Sequence, residues 1–382
     1  MNKILPKNYR FGFILTTLIG NETRYSNFRK YSGTMADVEC VWAPIRHFYL
    51  PSEPDPVRML PGPLHTRGVV IAQAAPVLRA LRSFDAVMVH QFEALNFLAL
   101  RSYFAAQPIV IAAQDLPPVL DKANYPLYPE QREKAAWRAA LRLATDKWAL
   151  RRAGHFIGFS EWSAAIVRKC GVNADHVAAI HVGLDLEVWK VPSGEPAKSD
   201  RLQILFEAGD FERKGGKRVL DLFVNRLSAT CELHIVTRTN LCDLPPNVHV
   251  HYGLGTGDPK LVLRFQRADI FILPTSADVS SWVTLEAMAA SCAVAVSRIG
   301  GIPDLVTADT GMLFDPTSDV EFASVVESLV NDTAQRLKMG KAGRAHVERN
   351  FDAARNVPAI LTQMKSWVDQ TRLIAGVKVP TT

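Results

Sequence analysis

Residues 203–223 read QILFEAGDFERKGGKRVLDLF, and this stretch decides the fold. Residues 203–207 have strand character, Gly209 opens a loop, and Arg213-Lys214-Gly215-Gly216 leads into a helix over residues 216–227. A strand that turns through glycine straight into a helix is half of a βαβ unit, the repeating piece of parallel sheets. Two adjacent cations at a helix start also make a diphosphate site. The first-turn amides and the dipole attract anions, and Arg adds paired hydrogen bonds. These residues alone leave a solvated basic turn open as well.

The same alternation extends in both directions. Downstream, strands are expected at residues 232–237, 248–252, 270–274 and 293–297, with helices over 283–290 and from 320 to the end. Upstream, residues 11–18, 86–90, 109–113 and 155–159 read as strands, and 69–82 and 130–152 as helices. Residues 50–63 are rich in Pro and acidic side chains and read as a loop, while VPSGEPAKS at 191–199 has the composition of a linker. The pattern predicts two Rossmann-like α/β domains, residues 1–190 and 191–360. Ligands of such sheets bind beyond the carboxyl ends of the strands, so the cleft between two of them is the expected site.

Bulk properties agree. A chain of 382 residues is about twice the usual domain length of roughly 100–200 residues. With 48% apolar and 21% charged residues it can build large cores. No uncharged apolar run reaches the length of about 18 residues needed to span a bilayer. The first twenty residues, broken by Asn8, Tyr9 and Arg10, read as a first strand and not as a signal peptide. Five scattered cysteines without a C-x-x-C pair point to a reducing cytoplasm and away from a zinc site.

The net charge of +6 is uneven, with 23 Lys+Arg against 16 Asp+Glu over residues 1–190 and a net of −1 beyond them. A basic first half suits an anionic membrane surface, at the inner face, or an acidic acceptor; a solvated surface accounts for it equally. The helix at 130–152 carries Arg138, Arg142, Lys147, Arg151 and Arg152 around Trp137, Leu141 and Trp148. It reads as a helix packed on the sheet with a basic outer face, or as a membrane-surface helix. Basic-aromatic interleaving of the nucleic-acid-binding kind is absent, so no nucleic acid is expected as a partner.

Three further segments carry chemistry. Residues 273–297 read LPTSADVSSWVTLEAMAASCAVAVS: a strand ends at Pro274, a polar loop holds Asp278, Ser280 and Ser281, and a helix starting near 283 holds Glu286. A carboxylate repels phosphate but accepts hydrogen bonds from hydroxyls, as in ribose or sugar recognition. It can also simply complement the helix dipole. In SRIGGIPDLV, Gly300-Gly301 before Ile302-Pro303 is a tight turn into a short helix. Gly20, after the first strand, would let donor phosphates come close.

Together these residues resemble the retaining glycosyltransferases of family 4, which have the GT-B fold of two Rossmann-like domains facing across a cleft. The similarity lies in Gly209…Arg213-Lys214-Gly215, Asp278-x7-Glu286 running into Glu286-Ala287-Met288-Ala289, Gly300-Gly301-Ile302-Pro303-Asp304 and Gly311-Met312-Leu313-Phe314. In the first half, Gly158-Phe159-Ser160-Glu161 and His181-Val182-Gly183-Leu184-Asp185 are similar to a strand-to-helix segment and a hinge of that family.

The resemblance implies a nucleotide-sugar donor and a glycan, glycolipid or small acceptor. Arg213 and Lys214 would hold the diphosphate, Glu286 the ribose, and Asp278 with the following amides the transferred sugar. Gly20, Gly209, Ser280, Ser281, Trp282, Tyr252 and Leu254 would complete the donor side, and His90, Gln114 and Asp115 the acceptor side. The two cations would stabilise the leaving group, so no metal and no cofactor is required. The tail, residues 361–382, would pack back on the first domain. The family's first Glu is Asp278 here, its glycine-rich loop is Val279-Ser280-Ser281-Trp282, and a pocket His is Gln114. The competing classes are a phosphorylase or sugar-nucleotide epimerase on the same fold, and a non-catalytic nucleotide- or carbohydrate-binding relative. Dependence on inorganic phosphate marks the first, and binding without turnover marks the last.

Overall fold

The computed structural model describes residues 9–17, 22–46, 48, 53–106, 108–114, 136–190, 200–255 and 257–376. Two six-stranded sheets, parallel throughout, organise them. The first contains β1 (Tyr9–Thr16), β2 (Val38–Ile45), β3 (Ala86–Val89), β4 (Ile109–Gln114), β5 (Gly154–Gly158) and β6 (Val177–Ala179), in the order β2-β1-β3-β4-β5-β6. The second contains β7 (Leu202–Ala208), β8 (Cys231–Thr237), β9 (Val248–His251), β10 (Ile270–Leu273), β11 (Ala293–Ser297) and β12 (Met312–Phe314), in the order β12-β11-β10-β7-β8-β9.

Helices connect the strands. Those before residue 183 are α1 (Glu22–Ser32), α2 (Gly62–Gln73), α3 (Ala75–Arg79), α4 (Phe92–Arg101), α5 (Ala136–Ala153) and α6 (Glu161–Lys169). Beyond it run α7 (Gly216–Leu222), α8 (Pro259–Arg267), α9 (Trp282–Ala289), α10 (Asp319–Asn331), α11 (Thr333–Asn350) and α12 (Ala353–Ile374).

The inner strands are apolar because helices cover both faces of each sheet. All four residues of β3 are fully buried, and Ile270, Phe271, Ile272 and Leu273 of β10 are at most 1% exposed. Each such side chain contributes roughly 1.5–3 kcal/mol on leaving water.

Where the elements differ from expectation, short-range chemistry explains it. The helix expected at 69–82 is two helices, because Pro76 in the first turn of α3 lacks the amide that would continue α2. The helix expected from residue 320 is three. Asp332 stops α10 and caps α11, its carboxylate accepting from the Gln335 amide at 2.8 Å. The helix from 216 gives way to a wider π turn at Phe223–Leu227. The edge strands β2, β6 and β12 carry no strong apolar run and are additions to the expected set.

The chain divides into two compact units whose crossing points lie between Val182 and Gly183 and between Asp352 and Ala353. Sequence composition put the boundaries at 190/191 and 360/361, and the linker-like residues 191–199 lie outside the described ones. The chain passes instead through Gly183, whose φ of 85° suits glycine. Leu184 and Asp352 then pair as a β-bridge, the Leu184 amide donating to the Phe351 carbonyl at 2.8 Å. All of α12 belongs with the first sheet. Lys365 pairs with Asp37 at 2.6 Å, Arg372 with Asp85 at 2.6 Å, and Trp367 is 1% exposed.

Candidate active site

In the second sheet β7 lies between β8, its successor in the chain, and β10, which comes later. Here the strand order reverses, and the loops after β7 and β10 diverge to opposite faces, leaving room for a ligand. Those two loops hold Arg213-Lys214 and Asp278. Neighbouring strands thus bring together side chains 64 residues apart: the Lys214 ammonium forms an ion pair and hydrogen bond with Asp278 Oδ2. The pair is largely buried, with side chains 15% and 10% exposed, so solvent screens it little. Asp278 Oδ1 accepts from the Val279 amide at 2.9 Å.

Arg213 sits differently from its neighbour. Its Nη1 donates to the Ala277 carbonyl at 2.6 Å and its Nε to Asp210 Oδ2 at 3.0 Å. The Ser276 amide donates back to the Arg213 carbonyl at 3.1 Å. Arg213 therefore ties the loop after β10 to the loop after β7, which fixes Lys214 and Asp278 relative to one another. Two glycines allow the close approach. A Cβ on Gly215 (φ 85°) would lie 2.2 Å from the Pro274 carbonyl oxygen, and one on Gly300 (φ 57°) 1.9 Å from that of Asp278. Gly209 has open space on its Cβ side.

Glu286 lies within the buried run 284–289 of α9 and is 3% exposed. No hydrogen bond or ion pair from another described residue reaches its carboxylate. Burial pushes its pKa up, and the negative charge of Glu207 adds to the rise. Glu207, next to last in β7, is raised as well, first by burial; Lys214 and Arg238 pull it back, and Asp278 opposes them. The sequence reading passed over Glu207 as a strand residue. The signal was there, a single charge in the run ILFEA of an inner strand.

The other donor-side candidates divide. Ser281 is buried at the start of α9 and its Oγ accepts from the Thr284 hydroxyl at 2.7 Å; Ser280 and Trp282 flank it, half-buried. Leu254 packs against the core of this unit. Tyr252 stands at the end of the edge strand, two strands from β7, with its hydroxyl accepting from the Leu241 amide at 3.1 Å. Gly20 and Asp115 lie outside the described residues, and Gln114 closes β4.

In the first unit, His90 follows β3 beside β1, again where the strand order reverses. Its Nε2 lies 2.8 Å from Nη1 of Arg24. A guanidinium only donates, so Nε2 is the acceptor in this contact. Arg24 is 2% exposed and lies over the Phe159 ring at 4.3 Å. It went unnoticed in the sequence, where an Arg in an amphipathic helix reads as surface. Nearby His181 is kept neutral: burial first, then the charge of Arg24, pushes it down to about 3. Among the described residues no three His, Cys, Asp or Glu side chains are grouped to hold a metal ion.

Comparison with known proteins bears on both units. Residues 37–188 match the family described as Glycosyltransferase Family 4, and residues 195–346 match Glycosyl transferases group 1. A D-inositol 3-phosphate glycosyltransferase of Arthrobacter sp. (strain FB24) is 26% identical over 232 residues, 54% of this chain and 54% of that protein. A sulfoquinovosyl transferase of Arabidopsis thaliana is 33% identical over 104 residues, 26% of this chain and 20% of that one. The chain thus spans about half the length, or less, of these curated relatives. Among solved structures, a sucrose-phosphate synthase from Thermosynechococcus elongatus superposes with a TM-score of 0.75 at 17% identity, covering 96% of this chain and all of the other. Anabaena HepE, solved with UDP, superposes with a TM-score of 0.65 at 16% identity over 94% of this chain and all of its own. These structural likenesses establish the shared fold.

Proposed function

Because the chain belongs to the family 4 glycosyltransferases of GT-B fold, we propose that it moves a sugar from a nucleotide-sugar donor to a hydroxyl of a glycan, glycolipid or small acceptor, with retention at the anomeric carbon. The observation that carries this reading is the Lys214–Asp278 pair at the β7–β10 switch point, with Glu286 buried on α9, the helix that follows the Asp278 loop. Lys214 exchanges its partner Asp278 for the donor diphosphate. It then stabilises the charge that builds on the leaving phosphate oxygen as the sugar–oxygen bond breaks. Arg213 keeps the loop in place and adds positive charge, so the leaving group is served without a metal ion. Asp278, released from Lys214, accepts from hydroxyls of the transferred sugar, and Glu286 from those of the ribose. The leaving oxygen takes the acceptor's proton on the same face, which gives retention.

A thermal-shift screen of UDP-, GDP- and ADP-sugars, followed by product analysis with and without EDTA, tests this. One donor should raise the melting temperature in proportion to the logarithm of its concentration. Turnover should survive EDTA and yield a product of the donor's anomeric configuration. An inverted product or loss of turnover on chelation would refute the corresponding part, and no response to any donor would refute the whole.

The same reading extends to a membrane surface. On α4, the turn that follows it and α5, Leu100, Tyr103, Phe104, Trp137 and Leu141 are 55% to 82% exposed, and the Arg152 guanidinium lies over the Tyr103 ring at 4.4 Å. Exposed aromatics among cations suit an anionic lipid surface. Anionic vesicles should sediment the protein at low salt and neutral vesicles should not; equal retention by both would sink the idea. No described helix is long and apolar enough to cross a membrane.

A further inference from the structure

Helix α1 turns one stripe inward: Arg24, Asn27, Phe28 and Tyr31, three and four residues apart, are buried together with Ser32. The stripe begins on a cation, 2% exposed, at a place where an apolar side chain packs more cheaply. A helix arginine ordinarily keeps its head in water. This one turns in and meets two specific partners. Its Nη1 lies 2.8 Å from Nε2 of His90, and its Cζ lies 4.3 Å from the centroid of the Phe159 ring.

The three residues come from different strands. Arg24 follows β1, His90 follows β3 and Phe159 follows β5. All stand at the carboxyl ends of parallel strands, where ligands of such sheets bind. β4 lies between β3 and β5 and closes on Gln114, so Arg24 joins the two sides of the strand that carries another acceptor-side candidate.

The contact has a chemical direction. A guanidinium has five N–H donors and no acceptor, so Nε2 offers its lone pair and a neutral ring then carries its proton on Nδ1. The Gln91 side-chain amide lies 3.5 Å from Nδ1, long for a hydrogen bond, and can turn its oxygen toward an N–H. A cation held at Nε2 polarises the ring, which makes Nδ1–H a stronger donor and closes Nε2 to an incoming proton.

We propose that Arg24 is a positioning residue for the transfer reaction: it holds His90 with the proton on Nδ1, so that His90 donates a hydrogen bond to an oxygen of the acceptor and does not serve as the base. This rests on the transfer reading above, in which the leaving phosphate oxygen takes the acceptor's proton.

The test reads the ring directly. Long-range imidazole nitrogen–proton correlation spectra of the full chain, with isotope-labelled histidine, show which ring nitrogen is protonated; the His90 signal is the one missing from His90→Gln. Near neutral pH the wild type should show Nδ1–H and a bare Nε2. Arg24→Lys, which keeps a cationic donor, should retain that form, and Arg24→Met should lose it to the Nε2–H form or a mixture. With the donor and acceptor that the screen and product analysis identify, Arg24→Met should raise the acceptor KM by about tenfold and leave the donor KM within about twofold. Arg24→Lys should lie nearer the wild type. A protonated Nε2 in the wild type overturns the proposal, whatever the variants do, and so keeps it testable should Arg24→Met fail to fold. An Nδ1–H form that persists in Arg24→Met overturns it too, as does a donor KM that rises with the acceptor KM, since a merely structural role moves both. A wild type that turns over no donor overturns the transfer reading and with it the role of His90, while the spectra still decide whether Arg24 fixes the ring.

Discussion

At the switch point of the second sheet, between β7 and β10, a cation, Lys214, is locked to a carboxylate, Asp278. At the switch point of the first, between β1 and β3, the buried cation Arg24 meets an imidazole ring, His90. The wiring is nearly the same and the electrostatics are not. Parallel α/β topology dictates where polar groups can be gathered, because only there do the loops part and leave the strand ends uncovered. Which charges gather there is decided by a handful of residues. A mixed site with its own internal ion pair is suited to a ligand that is anionic at one end and hydroxylated at the other. The first unit's set has no comparable demand on it. Its charged exterior, on α4 and α5, faces solvent.

Removing Lys214 should separate the units most. Lys214→Ala leaves Asp278 without its partner and the leaving phosphate without its cation. Turnover should fall by about 10²-fold or more, and the second unit should lose roughly 3 kcal/mol, the low end for breaking a buried pair. Hydrogen exchange should change in the second unit and stay as it was in the first. Near-normal turnover would remove Lys214 from the mechanism.

Acid comes next. His234 packs against His251 (3.0 Å between Nδ1 and Nε2), Gln203, the His249 ring, Glu232 and Arg264. Burial first, then His249 and His251, push it from its ordinary 6.5 down to about 4. A group whose pKa is depressed by folding stabilises above its unfolded pKa, and that contribution is lost as pH falls through the folded one. The second unit should therefore weaken between pH 6.5 and about 4, by up to about 3 kcal/mol. His155, likewise lowered to about 4, does the same to the first unit. His234→Gln should flatten the pH dependence of urea unfolding in the second unit alone. An unchanged slope there would assign the acid sensitivity elsewhere.

The smallest effect concerns the exterior of the first unit. The double change Trp137→Ser and Leu141→Ser should weaken binding to anionic vesicles by about tenfold. Stability should stay within about 0.5 kcal/mol, since both side chains are more than half exposed. Unchanged vesicle binding would return α5 to the status of a solvated helix.

Much of the fold was legible in the sequence because inner parallel strands are continuous apolar runs and their helices follow at once. β3, β4, β10 and β11 all show this, and β7 does through Ile204, Leu205 and Phe206. β2 did not, since four of its residues in a row are only half-buried and its sequence, VECVWAPI, has no clean period. The domain boundary was misjudged for a related reason. Composition marks where a chain could be flexible, whereas the crossing at Gly183 is set by which residues pack with which sheet. Within the candidate site, Arg213, Lys214, Asp278 and Glu286 could be named from short motifs.

By itself, then, the sequence determined the alternation of strands and helices, the cations before α7 and the carboxylate within α9. These depend on local periodicity, capping and charge near a helix start. The tertiary structure alone decided that Lys214 meets Asp278 and that Arg213 ties down a loop through the Ala277 carbonyl. Those contacts follow from β7 lying next to β10. Strand order is set by the packing of the whole sheet, and no local stretch of residues encodes it.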